Sequence, residues 1–300
     1  MDAQRALAGV GVVVALVPAA LGAAVAVLAT RPRLAAKVFG GVDNPGKSPA
    51  DFGLPSVDVE YATGCPAWWI PVDGSKAAVV IVHGFETSED PRSTDPGPRL
   101  ELAAMLAEEG FSSLVISLGY GSGAHLHSGG PLEAADVAAA VRWAASESAQ
   151  RVAVIGFSAG GHAAVAASND CNVFAVLTDS SFVDFSEVAQ NQGAALLGAP
   201  PWIFGLVPRF MELATGHAPI SLEASGIDRS VPMLHIHGDA DLAIAYDNQA
   251  RLARVTGGQT VTFASAGHVD SLRVDGNRYK RIVVDFLERS HARREAAAEH

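Results

Sequence analysis

An α/β architecture, a mostly parallel doubly wound sheet of about eight strands, follows from three observations on this 300-residue chain. From about residue 56 to residue 290, short β-branched apolar runs alternate with longer stretches of helical composition. Runs such as Ala77-Ala78-Val79-Val80-Ile81-Val82 are apolar throughout, as parallel strands buried on both faces require. Glycine, serine, histidine and aspartate gather at the ends of these runs, where an open parallel sheet presents its ligand-binding edge. With 49% hydrophobic residues a large core can form, and the single alternation uses nearly all of it, so one domain is expected.

In chain order, the first element is apolar. From Leu7 to Ala29 there is no charged and no strongly polar residue, a length of about 35 Å as a helix, enough to cross a bilayer core. Residues 1–31 therefore read as an N-terminal hydrophobic anchor in which Pro18 is tolerated, giving a single-pass membrane protein. A secretory signal is the competing reading, although its apolar region usually runs about 7–15 residues behind a stronger basic leader than Arg5. Arg31, Arg33 and Lys37 after the helix favour a cytoplasmic domain, with export as the alternative. Residues 32–55, rich in Gly, Pro, Asn and Ser, read as a linker.

Strands follow at 57–62 and 67–72, the second placing Trp68 and Trp69 on opposite sides. The core then runs strand 77–82, helix 98–110, strand 112–118, helix 132–147, strand 151–157, helix 159–168 and strand 173–179. It resumes with strand 231–237, helix 246–255, strand 259–264 and helix 278–289, and residues 291–300 read as a charged, fraying tail. Between residues 181 and 230 the alternation stops, and the stretch from Ala194 to Met211 is too apolar for a surface loop. It reads as a small cap inserted over the strand ends, with a helix that merely covers the sheet as the alternative.

The formal net charge of −11 comes with no basic run, which excludes nucleic acid as a partner. Cys65 and Cys171 match no metal spacing and no disulfide framework; two buried thiols or one bridge both fit. His125 and His127 have no ligand-spaced partner in the sequence, so neither a metal nor another cofactor is expected. His83, His162 and His237 read as structural.

The most specific motif is Gly156-Phe157-Ser158-Ala159-Gly160, which joins the strand Val152-Ala153-Val154-Ile155 to a small-residue helix. A serine on so sharp a turn is lifted clear of the sheet, and residues two before and two after it approach too closely for side chains, hence Gly156 and Gly160. Upstream, His83-Gly84-Phe85 ends a strand where backbone N–H groups can face an oxyanion. Downstream, His237-Gly238-Asp239-Ala240-Asp241 ends another strand, and Ala266-Gly267-His268 follows a third. A serine hydroxyl needs a base and a group that fixes the base's tautomer; Ser158, His268 and Asp241 can fill these roles. Asp239 and Asp179 compete with Asp241 as the acid.

From about Val57 to Glu288 these four motifs in register resemble the α/β-hydrolases, particularly the compact Bem46-like and serine-aminopeptidase-like branch. The resemblance implies a serine hydrolase, read here as acting on a carboxylic ester or related acyl bond of a small molecule, and the hydrophobic anchor with the apolar cap points to an apolar acyl substrate. A serine peptidase and a catalytically silent binding protein of the same fold are the alternatives. The triad would be Ser158, Asp241 and His268, with the backbone N–H groups of Phe85 and Ala159 as the oxyanion hole. The chain departs from the family's D-x-R-G-x-G-x-S stretch: Ile116-Ser117-Leu118-Gly119-Tyr120-Gly121-Ser122-Gly123 keeps the turn glycines and lacks the Asp and Arg.

Overall fold

A computed structural model describes residues 46–85, 98–148, 151–197 and 201–298, together with a few single positions between 20 and 31. Most of the expected anchor and linker therefore lies outside the described residues. Among the described residues no helix is long and apolar enough to cross a membrane. Thr30 is described, buried, and its carbonyl accepts the His127 N–H at 3.0 Å.

The sheet begins with a hairpin, β1 (Val57–Ala62) and β2 (Cys65–Ile70). Next come β3 (Ala78–Val82), α1 (Arg99–Glu108), β4 (Ser112–Ile116), α2 (Gly119–Ser122), α3 (Pro131–Ser148), β5 (Val152–Phe157), α4 (Ala159–Ala167) and β6 (Val173–Asp179). The insertion contributes α5 (Phe185–Leu197), a 3-10 turn (Pro201–Phe204) and α6 (Val207–Thr215). The chain closes with β7 (Met233–Gly238), α7 (Asn248–Thr256), β8 (Gln259–Phe263), α8 (Ser271–Val274) and α9 (Gly276–Ala298). The eight strands lie in the order β1-β2-β4-β3-β5-β6-β7-β8, and from β4 to β8 every pairing is parallel.

Alternation within each strand splits the core into two layers. Val80, Val82, Val152 and Val154 face α3 and α4, packing on Val137, Val141 and Ala163. Val79, Ile81, Ala153 and Ile155 face α1 and α9, packing on Leu102, Leu106, Val283 and Phe286. Burying each such Val, Leu, Ile or Phe stabilises the fold by about 1.5–3 kcal/mol, so neither layer could tolerate a one-residue slip in strand register. The tryptophans separate as expected: Trp68 joins the second layer, while Trp69 meets Trp143 edge-on with ring centroids 5.7 Å apart.

Two details differ from the sequence-based expectation. β2 starts at Cys65 rather than 67, because Thr63-Gly64 closes a two-residue turn, with Gly64 at φ +70°, that pairs Ala62 with Cys65. The last helix does not end near residue 289. It runs to Ala298, tied down by Arg294 donating to the Val173 carbonyl and by His291 against the Phe174 ring. Cys65 and Cys171 are unpaired, and burial pushes both thiols up to about 11.

Candidate active site

Every candidate side chain stands at a strand's C-terminal end. β5 leads into Ser158, whose backbone is held at φ 51° and ψ −119°, a conformation rare for a residue with a Cβ. Its neighbours make that bend possible. A Cβ on Gly156 would meet the Gly160 carbonyl oxygen, and a Cβ on Gly160 would meet that of His83, both closer than real contacts allow. The Ser158 N–H is fixed to the Asp179 carbonyl on β6 at 2.9 Å.

Three side chains from three loops then form one hydrogen-bonded line. His268 donates from Nδ1 to Asp241 Oδ2 at 2.8 Å, and its Nε2 lies 3.1 Å from Ser158 Oγ. With Nδ1 carrying the proton, Nε2 is the acceptor and the serine hydroxyl the donor. The Asp241 side chain is wholly buried, whereas His268 is 31% exposed, so the imidazole has an open side toward an incoming molecule. Asp241 Oδ1 accepts the N–H groups of Ala243 and Ile244, both at 2.9 Å. Burial would raise this carboxyl, but hydrogen bonds from His237 and His268 outweigh it and hold Asp241 well below the usual carboxylate range.

The expected oxyanion groups flank the serine. Ala159 opens α4, whose free N–H groups carry the positive end of the helix dipole. The His83-Gly84-Phe85 turn passes close over Ser158, since a Cβ on Gly84 would sit 3.1 Å from Ser158 Cβ and 3.7 Å from its Oγ. That turn is braced from beneath. His83 Nδ1 donates to the Gly84 carbonyl at 2.6 Å, its Nε2 accepts the Leu118 N–H at 2.9 Å, and Tyr120 donates its phenol to the same carbonyl at 2.7 Å. Burial pushes the His83 imidazole down to about 3, so it stays neutral.

The insertion supplies an apolar wall. Phe182, Phe185, Phe204, Val207 and Met211 form one cluster with Ala159 of the elbow and Ile244 of the acid loop. Gln192 on α5 donates to the Ala243 carbonyl at 2.7 Å, joining the insertion to that same loop.

The competing acids have other partners. Asp239 accepts the Ser265 N–H at 2.6 Å and thereby closes its own turn. Asp179 is buried at the end of β6, and burial pushes its carboxyl up to about 6. His162 is stacked on Phe182 inside the core, as a structural histidine would be. His125 has a carboxylate partner beyond any ligand spacing: Asp136, eleven residues on and within α3, at 2.9 Å. Helix α3 returns across the turn, so neighbours in space were not neighbours in spacing.

His237, read as structural, places Nε2 3.3 Å from Asp241 Oδ2 and 3.2 Å from the Ile244 carbonyl, so from the end of β7 it braces the loop of Asp241 as a structural histidine does. One contributor was not foreseen. Tyr120 reaches across from a turn 36 residues away from Gly84, and no local pattern announces that contact.

The fold recurs in solved structures. A Pyrococcus furiosus esterase is 23% identical with a TM-score of 0.64, over 83% of this chain and 95% of that one. A carbohydrate esterase from gut microbiota is 19% identical with a TM-score of 0.57, over 84% and 99%. A puromycin-hydrolyzing peptidase of Mycobacterium tuberculosis is 18% identical with a TM-score of 0.57, over 80% of this chain and 40% of that one. These likenesses show the α/β-hydrolase fold. No curated protein matches the sequence. The model of the prolyl oligopeptidase family matches residues 128–292, a span that holds Ser158, Asp241 and His268. It covers more than half of the 300 residues, and the chain therefore belongs to the prolyl oligopeptidase family of α/β-hydrolases.

Proposed function

We propose that this protein is a serine esterase that cleaves carboxylic esters or related acyl bonds of apolar small molecules through Ser158, His268 and Asp241. The observation that carries this reading is the hydrogen-bonded line from Asp241 through His268 to Ser158, at 2.8 and 3.1 Å. Ser158 Oγ forms a bond to the acyl carbon while its proton passes to His268 Nε2. The carbonyl electron pair moves onto oxygen, where the N–H groups of Phe85 and Ala159 receive it. The C–O bond to the leaving group breaks as His268 returns the proton to it. Water, deprotonated by His268, then attacks the acyl-enzyme and regenerates Ser158. Asp241 stays ionised throughout and stabilises the imidazolium.

The apolar wall of the insertion supports an acyl chain as the bound group. Each buried methylene contributes about 0.8 kcal/mol, so butyryl should exceed acetyl esters by roughly tenfold in kcat/KM. The motif resemblance to the Bem46-like branch fits this reading, and the apolar stretch of residues 1–31 would anchor the enzyme to a membrane. Family membership favours a second reading, a peptidase that uses the same three residues.

One experiment tests both. kcat/KM is measured on acetyl, butyryl, octanoyl and palmitoyl esters and on an aminoacyl anilide, with Ser158→Ala alongside. The variant should lose activity by about 10⁶ and fail to react with a fluorophosphonate, with butyryl or longer esters the best substrates of the unaltered protein. Fastest cleavage of the anilide would establish the peptidase. Retention of more than about a tenth of the activity by the variant would remove Ser158 as nucleophile.

A further inference from the structure

Asp179 is a buried carboxyl that the proposed reaction does not use, yet it touches both halves of the site. Its backbone carbonyl accepts the Ser158 N–H at 2.9 Å. Its side-chain Oδ1 accepts the hydroxyls of Ser180 and Ser271, each at 3.2 Å. Ser180 Oγ accepts in turn the Val269 N–H at 3.0 Å. Val269 is the residue after His268, and Ser271 stands three residues after it. The loop that carries the imidazole is thus moored at two points to one carboxyl, directly or through one hydroxyl. The same residue holds the nucleophile by its main chain.

Backbone strain gathers at the same place. Among the described residues, four that are not glycine have positive φ; three of them are Ser158 at 51°, Ser180 at 55° and Val269 at 55°. Val269 is β-branched, for which this region is a genuine outlier, and such conformations persist only where surrounding bonds over-determine them. Here each of the three is bonded within the Asp179 network, and all of Asp179, Ser180 and Ser271 are sealed from solvent. Tyr279 lies buried beside the same carboxyl, but neither its hydroxyl nor Asp179 Oδ2 has a well-aligned hydrogen-bond partner, so the two serines are the well-aligned side-chain donors to this carboxyl, both on Oδ1.

We propose that Asp179 is a positioning residue, whose carboxyl moors the His268 loop in register with the Ser158 elbow that its own main chain holds. The proposal rests on the reading of Ser158 and His268 as nucleophile and base. Without the mooring, Nε2 would drift from Oγ, and a displacement of about 1 Å costs on the order of 10²-fold in rate. An amide keeps Oδ1 as the acceptor for both serines, so asparagine should replace this aspartate and alanine should not.

The test compares Ser158→Ala, Asp179→Ala, Asp179→Asn and the double variant Ser180→Ala/Ser271→Ala in the full chain. kcat and KM are read on p-nitrophenyl butyrate and folding by thermal melting. Asp179→Ala should lose about 10²-fold in kcat with KM within about threefold, Asp179→Asn should stay within about fivefold of the unaltered protein, and the double variant should lose at least about tenfold. If Asp179→Ala does not fold, the double variant decides, and an unchanged kcat there would overturn the proposal. A folded Asp179→Ala with more than half the original kcat would overturn it as well. Loss in Asp179→Asn as deep as in Asp241→Asn would make Asp179 the catalytic acid instead. An active Ser158→Ala would bring down the underlying reading, whereas an inactive one beside an active Asp179→Ala removes the mooring alone.

Discussion

Gly160→Ala probes the tightest joint of the site. Its added Cβ would overlap the His83 carbonyl oxygen and stand 2.8 Å from the Val82 oxygen and 2.9 Å from the His83 carbonyl carbon, where ordinary contact begins near 3.4 Å. All three atoms are backbone at the end of β3, so no side chain can swing aside; the start of α4 and the end of β3 must part by about 0.5–1 Å. The two expected oxyanion donors sit on the two sides of that joint, Ala159 just before Gly160 and Phe85 two residues beyond His83. Parting them by this much should cost about 10²-fold in kcat, comparable to the 10²–10³ lost with one donor, and leave KM nearly unchanged. Overpacking should also lower stability by about 1–3 kcal/mol, and a domain of this size loses about 2–4 °C of Tm for each kcal/mol. The assay is kcat and KM on p-nitrophenyl butyrate with melting followed by circular dichroism. Gly276→Ala serves as the control, since the nearest atom to its Cβ is 4.0 Å away. A Gly160→Ala variant with kcat within threefold of the original would refute the reasoning, because the joint would then have slack that the close approach denies.

Asp241→Asn should lose activity by about 10⁴, since the amide does not support the tautomer in which His268 Nδ1 donates, while Asp239→Asn, whose carboxylate only closes a turn, should lose far less. Stability should fall steeply in acid. Burial holds His83 down to about 3 and His162 and His235 down to about 4. A histidine whose folded value is depressed contributes stability that is fully present above its ordinary unfolded value of about 6.5 and is lost as pH falls through the folded value. Melting temperature should therefore be level above about pH 7 and decline continuously toward about pH 4; an acid-side plateau down to that pH would show that these imidazoles are not buried neutral.

The sheet was legible because burial on both faces leaves an unmistakable mark: the run Val79 to Val82 carries no polar residue, and β3 lies at Ala78–Val82, inside the span 77–82 that the sequence reading gave it. The elbow was legible for a steric reason, as Gly156 and Gly160 are the residue type the close approach demands. The geometry brings Ser158, His268 and Asp241 together because each was marked by its place at a strand end. What escaped were contacts between loops distant in sequence. Tyr120 on Gly84, His125 on Asp136 and the serines on Asp179 join residues through tertiary proximity, which neither period nor spacing encodes. Helix ends were missed for a related reason: the extension of α9 depends on Phe174 and Val173, which receive His291 and Arg294 from the far end of the chain.

The departure after β4 has a physical counterpart. At the positions of the Asp and Arg in the D-x-R-G-x-G-x-S pattern this chain has Ile116 and Leu118; Leu118 offers a backbone N–H to His83, and Tyr120, at a variable position of the pattern, offers a phenol to the Gly84 carbonyl. Both supports of the turn above Ser158 are thus neutral, and His83 between them is kept neutral by burial. Neutral supports carry a consequence for the reaction. In the proposed reaction negative charge would develop on the acyl oxygen, and supports without charge add nothing that repels it. The N–H groups of Phe85 and Ala159, as the proposed oxyanion donors, would then act with no carboxylate among the supports of the turn. The stability of the turn and the electrostatics of the site are then served by the same residues. The turn that carries Gly84 is held by a histidine, a tyrosine and two main-chain groups, none of them charged.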